Sequence, residues 1–160
     1  MNETFLIIED QDNDAILLQY ALKKADLANP VQVVENGREA MKYLSGEGQY
    51  ANRNEYPMPA LLFLDLKMPE VNGFELLEWI RGQTSLPPMV VVVLTSSELE
   101  EDIARAYRLG VNSYVVKPSS MDKLVQCARD FANWWLRHDR ITPWNMSPDP
   151  LRLDIGGMPE

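Results

Sequence analysis

Five short apolar runs alternate with stretches of helical periodicity, and this alternation limits the fold more than any other feature of the sequence. The runs are Thr4-Phe5-Leu6-Ile7-Ile8, Val31-Gln32-Val33-Val34, Leu61-Leu62-Phe63-Leu64, Met89 to Leu94 and Val111 to Val116. An apolar run bounded by turn residues, as at Leu61 to Leu64, marks a strand covered on both faces. Strands that alternate with helices pair in parallel through right-handed crossovers. The pattern predicts an α/β fold, a doubly wound five-stranded parallel sheet with five helices.

The helices follow from spacing and end signals. Between Asn13 and about Leu27, Ala15, Leu18, Leu22 and Ala25 recur at helical intervals, Leu17 and Ala21 widen the stripe, and Asn29-Pro30 stops it. Gly37 to Leu44 places Ala40, Met41 and Leu44 on one face, and Gly73 to about Gly82 carries Phe74, Leu76, Leu77, Trp79 and Ile80. Ser97 and Glu100 have capping-box spacing, which predicts a fourth helix to about Leu109, closed by Gly110. Ser119 with Asp122 opens the last helix, whose stripe is Met121, Leu124, Val125, Ala128, Phe131, Ala132 and Trp135, with Trp134 and Leu136 outside it. The stretch from Ser45 to Pro59 is too long for a plain link and reads as a loop available to a partner. Residues 1–138 form one domain on this reading, and 139–160 an extended tail with Trp144 and Ile155 as isolated anchors.

A chain of 160 residues suits one packed domain, and a net charge of −9 argues against binding to nucleic acid or anionic membranes, which requires a basic patch. The single cysteine, Cys127, cannot close an internal disulfide and suits a reducing cytoplasm. Neither a signal peptide nor a membrane-length apolar segment is evident in the sequence.

In a parallel sheet the carboxyl ends of all strands share one edge, where open α/β sheets bind ligands. Glu9 and Asp10 leave the first strand, Asp65 the third, Thr95 the fourth and Lys117 the fifth. Crowded carboxylates either keep protons or bind a cation, and oxygen-only donors select a hard one, with magnesium the best fit. A carboxylate beside such a cation, a lysine and a hydroxyl could attack a phosphoryl group, which predicts an aspartyl phosphate.

With these residues in this order, the sequence resembles the receiver domains of two-component response regulators, the family that includes the chemotaxis response regulator. The likeness spans roughly Thr4 to Leu136 and implies the flavodoxin-like strand order 2-1-3-4-5. It further implies that Asp65 is the phosphoacceptor, that Glu9 and Asp10 form the acidic pocket, and that Asp10, Asp65 and the Lys67 backbone carbonyl ligate Mg2+. Thr95, Ser96 and Lys117 would contact the phosphoryl group, with Thr95 and Tyr114 as the switch pair and Lys117-Pro118 as a cis peptide. The family often has Asp at the position of Glu9. The long loop before Leu61 and the aromatic segment Phe131 to Leu136 resemble the stand-alone receivers that partner bacterial phytochrome histidine kinases.

This resemblance implies a single-domain response regulator, phosphorylated by a histidine kinase and acting through protein contacts, rather than an enzyme. An onward histidine phosphotransfer protein and a homodimer through the last helix are further expected partners. An aspartate-nucleophile phosphatase usually has a second acid two residues after the nucleophile, but that position is Lys67. A phosphorylation-independent scaffold would normally have lost a pocket residue, and here none is lost. His138 reads as a solvated helix-end residue, Cys127 and Trp135 as packing residues, and Trp134 and Trp144 as interface candidates.

Overall fold

The computed structural model describes residues 3–137. In chain order the elements are β1 (Phe5–Ile8), α1 (Asp12–Lys24), β2 (Val31–Val34), α2 (Gly37–Ser45), a 3-10 turn (Gly48–Ala51), β3 (Leu61–Leu64), α3 (Gly73–Gly82), β4 (Val90–Thr95), α4 (Glu100–Arg108), β5 (Ser113–Val116) and α5 (Met121–Arg137). All strand pairs are parallel, in the order β2-β1-β3-β4-β5. This is the doubly wound sheet that the sequence predicts. Among the described residues no helix is long and apolar enough to cross a membrane.

The period of two along each strand divides the core into two layers. Leu6, Ile8, Leu62, Leu64, Val91 and Val93 pack with Leu44, Leu76, Leu77 and Ala106 on the side of α2, α3 and α4. Phe5, Ile7, Leu61, Phe63, Val90 and Val92 pack with Leu18, Leu22, Phe131 and Trp135 on the side of α1 and α5. Phe5, Phe63 and Phe131 meet edge to face at 5.4–6.1 Å, a favoured arrangement of ring quadrupoles. Trp135, from the helical stripe, and Cys127, read as a packing residue, are both in the core, and Trp134 is half-buried against Phe131.

Several boundaries differ from the sequence expectation, each for a local reason. Helix α1 stops at Lys24, because Asp26 adopts a left-handed φ of 61° and the Asp26 and Leu27 amides turn back to the Lys23 and Leu22 carbonyls. Leu17 is 44% exposed and Ile16 60%, so the apolar stripe of α1 does not widen through Leu17. The Ser97–Glu100 capping box is not formed: the Ser97 hydroxyl donates to Asp102 and accepts the Leu99 amide. Ser120 rather than Ser119 caps α5, accepting the Lys123 amide at 3.2 Å. Strand β5 begins at Ser113 because Gly110, at φ 87°, closes α4 and Asn112 instead pairs with Val91 through both its backbone amide and its side-chain oxygen.

The segment from Ser45 to Pro59, expected to be a loop available to a partner, has its own core. Tyr43, Tyr50 and Tyr56 contact one another at 5.1–5.9 Å, while Tyr43 donates to the Pro57 carbonyl and Tyr50 to Glu39. The Arg53 guanidinium donates to the carbonyls of Tyr43, Leu44 and Tyr56 at 2.8–3.2 Å, giving the Leu44 carbonyl at the end of α2 a donor and adding a second to Tyr43, which also accepts the Gly46 amide. Arg53→Ala is therefore expected to lower stability by about 1–3 kcal/mol through unpaired carbonyls, read as a lower urea midpoint. Arg53→Lys should recover only part of that loss, because an ammonium cannot reproduce the fork. The proposed tail at 139–160, with Trp144 and Ile155, lies outside the described residues, as do His138 and the Leu136 side chain.

Candidate functional site

Strand register brings the polar strand ends together. Ile8 pairs with Leu64, and the Asp65 amide donates to the Ile8 carbonyl at 3.1 Å, so Glu9, Asp10 and Asp65 emerge side by side. Thr95 pairs with Val116, and the Lys117 amide donates to the Thr95 carbonyl at 2.7 Å. Oxygens from Glu9, Asp10 and Asp65 lie within 4.8 Å of one another. Glu9 and Asp65 are buried and Asp10 is half-buried.

Lys117 ties the site together. Its ammonium donates to Glu9 Oε1 at 2.6 Å, Asp14 Oδ2 at 2.8 Å and Asp65 Oδ2 at 3.1 Å. The other Asp65 oxygen, Oδ1, accepts the Lys67 amide at 3.2 Å. Burial opposes the charge on Lys117, but the hydrogen bonds to Asp14 and Glu9, with the negative field of Asp65, outweigh it and hold the ammonium above the usual lysine range. Burial pushes the Glu9 carboxyl up to about 7, opposed by its hydrogen bond to Lys117 and reinforced by the Asp65 charge.

The Glu9 shift predicts how stability depends on pH. The folded protein holds a proton on Glu9 up to about 7, whereas a free glutamate carboxyl loses it near 4.5. Its contribution is fully present below the lower value and is lost as pH rises through the upper one. In the presence of a chelator, the urea midpoint should fall between about pH 5 and about pH 8, and Glu9→Gln should flatten that decline. A midpoint that rises across this interval for the parent, with the same slope in Glu9→Gln, would contradict the assignment.

Thr95 is buried, and its hydroxyl has no hydrogen-bond partner among the described residues, whereas Ser96 beside it is exposed. The Tyr114 ring is fully buried, and its hydroxyl donates to the Ser97 carbonyl at 3.0 Å. Thr95 and the acceptor of Tyr114 therefore belong to one three-residue segment. Burial raises the Tyr114 phenol above its ordinary range. The Lys67 side chain is exposed, and its backbone amide donates to Asp65.

One implied feature is corrected: the Lys117–Pro118 peptide is trans. An X–Pro bond favours trans by only about 0.5–1 kcal/mol, so local packing selects the isomer. In the trans form the lysine already reaches all three carboxylates. Asp14 is the site residue that strand-end reasoning missed. It lies in the first turn of α1 rather than at a strand end, and its four-residue spacing from Asp10 is the only sequence signal for it.

The donor set is chemically coherent. Three carboxylates that supply only oxygen fit a hard divalent cation, and an ammonium beside two of them offsets part of the remaining charge.

The family model for the response regulator receiver domain matches residues 5–129. Response regulator Rcp1 of Synechocystis sp. is 33% identical over 134 residues, covering 84% of this chain and 89% of the relative. The solved Mn2+-bound form of Rcp1 covers 88% of this chain and 99% of its own, with a TM-score of 0.77 and 31% identity. The phosphorylated cyanobacterial phytochrome response regulator RcpA aligns with a TM-score of 0.79 and 35% identity over the same shares. The bacteriophytochrome response regulator RtBRR is 44% identical, with a TM-score of 0.67, over 76% of this chain and 73% of that one. The protein belongs to the response regulator receiver domain family.

Proposed function

We propose that this protein is a single-domain response regulator that takes a phosphoryl group onto Asp65 from a histidine kinase and signals by protein contact. The observation that carries the reading is the Lys117 ammonium, held against Glu9 and Asp65 at the edge where Asp10 completes the acidic cluster. Asp65 attacks the phosphorus of a phosphohistidine. The P–N bond breaks, and its electron pair leaves with the imidazole, whose protonated second nitrogen makes the departing ring neutral. Hydrolysis later reverses the modification: water attacks phosphorus, inorganic phosphate leaves, and the Asp65 carboxylate is restored.

The Lys67 amide donates to one Asp65 oxygen and the Lys117 ammonium to the other, which fixes the orientation of the carboxylate. Mg2+, held by Asp10, Asp65 and the Lys67 carbonyl, would neutralise phosphoryl oxygens. Thr95, Ser96 and Lys117 contact those oxygens. Movement of Thr95 toward them pulls on the segment that holds Tyr114 through Ser97, passing the change to the surface of α4, β5 and α5. The protein promotes only its own phosphorylation and dephosphorylation and is not otherwise an enzyme.

Likeness to Rcp1, RcpA and RtBRR supports a bacteriophytochrome as the kinase. The remaining elements of the proposal are a cytoplasmic homodimer, a receiver spanning residues 1–138 with an extended tail, and onward transfer to a histidine phosphotransfer protein. The test is to mix the protein with a radiolabelled, autophosphorylated bacteriophytochrome kinase. Label should pass to this chain only with Mg2+ and be released by mild alkali, as an acyl phosphate requires. Label that stays on the kinase with Mg2+ present contradicts the proposed donor.

A further inference from the structure

We infer that Asp14 is a positioning residue for phosphoryl transfer, fixing the rotation of the Lys117 ammonium so that one N–H is aimed at Asp65. The inference rests on the reading of Asp65 as phosphoacceptor. An ammonium has three N–H donors and no acceptor. Here three carboxylates, on Glu9, Asp14 and Asp65, take all three. With Glu9 and Asp14 holding two donors, the third has one direction left. It points at Asp65, and a phosphoryl oxygen on Asp65 would receive it.

Asp14 differs from the other two acceptors in origin. Glu9 and Asp65 are buried at strand ends, whereas Asp14 reaches Lys117 from the first turn of α1 and its side chain is 39% exposed. A first-turn acid is also favoured by the helix dipole, and that alone would explain an aspartate there. The dipole serves Asp12 as well, yet Asp12 is exposed, and the lysine contact belongs to Asp14. Removing Asp14 lets water take one donor, so the long lysine side chain regains rotation and aims at Asp65 for less of the time.

The test compares Asp14→Ala, Asp14→Asn, Lys117→Ala and the Asp14→Ala/Lys117→Ala double variant. One readout is the rate of phosphoryl uptake from acetyl phosphate at saturating Mg2+; the other is the Lys117 ammonium signal in 15N-lysine NMR. Asp14→Ala should slow uptake by about three- to tenfold, the size of one partly exposed charge-assisted hydrogen bond, and broaden the ammonium signal through exchange with water. Asp14→Asn, which keeps an oxygen acceptor, should lose less. In the Lys117→Ala background, Asp14→Ala should cause no further loss, because Asp14 acts through that lysine. An equal loss in both backgrounds, or an unchanged rate and signal in Asp14→Ala, overturns the inference. If the parent takes no phosphoryl group, the phosphoacceptor reading fails. The ammonium signal then decides the anchor alone, and an unchanged signal in Asp14→Ala refutes it.

Discussion

Asp65→Asn is expected to abolish phosphoryl uptake and yet yield a protein that, without metal, resists unfolding better than its parent near neutral pH. The loss is chemical: an amide oxygen is a poor nucleophile, and uptake should fall by about 10³-fold or more. The gain is electrostatic. Asp65 is buried beside Glu9, and its charge helps to push the Glu9 carboxyl up to about 7. Asparagine has nearly the same shape and keeps an oxygen for the Lys67 amide. Relief of the repulsion should contribute on the order of 1 kcal/mol, seen as a higher melting temperature in a chelator. Added Mg2+ should narrow the difference, because the cation stabilises the parent more. A variant less stable than the parent in chelator would mean that Asp65 is held by attraction to Lys117 more than it is opposed by its acidic neighbours.

Gly73→Ala should damage both stability and phosphoryl transfer, although helix propensity predicts the opposite. Gly73 opens α3, and alanine in a helix is favoured over glycine by about 0.5–1 kcal/mol. Here, however, a Cβ at Gly73 would lie 2.6 Å from the Asp65 carbonyl oxygen and 2.7 Å from Leu66 Cα. Those neighbours are backbone, tied by the Gly73 amide donating to the Leu66 carbonyl at 3.0 Å, and they cannot rotate away. Overpacking of this kind costs about 1–3 kcal/mol, more than propensity returns. The strain falls on the segment that carries Asp65 and the Lys67 amide. A displacement of about 1 Å there should slow phosphoryl uptake by roughly 10–100-fold. A lower urea midpoint together with slow uptake is the expected pair of results. A more stable variant with parental kinetics would show that the loop adjusts freely.

The strands and their polar ends were legible because each rests on a contiguous apolar run and on the rule that parallel strands end at one edge. Glu9, Asp10, Asp65, Thr95 and Lys117 all lie at that edge. What escaped the sequence depends on side chains meeting across long separations. Asp14 gains its meaning from Lys117, 103 positions away. Arg53 looks like an ordinary loop residue until the end of α2 presents the Tyr43 and Leu44 carbonyls to its guanidinium. Ser97 has the right spacing for a cap, yet its hydroxyl goes to Asp102, and Asp26 ends α1 in a left-handed conformation more often given to glycine. Lys117–Pro118 is a similar case: its isomer is set by packing rather than by the dipeptide.

The central claim is that the transferred phosphoryl group resides on Asp65. Treating the Mg2+-phosphorylated protein with borohydride reduces an aspartyl phosphate to homoserine, and peptide mass mapping then locates it. Homoserine at position 65, lost when Mg2+ is chelated, is the predicted result. Homoserine at position 10, the longer 5-hydroxynorvaline that a glutamyl phosphate would leave at position 9, or no reduced residue despite stable phosphoryl uptake, would contradict it.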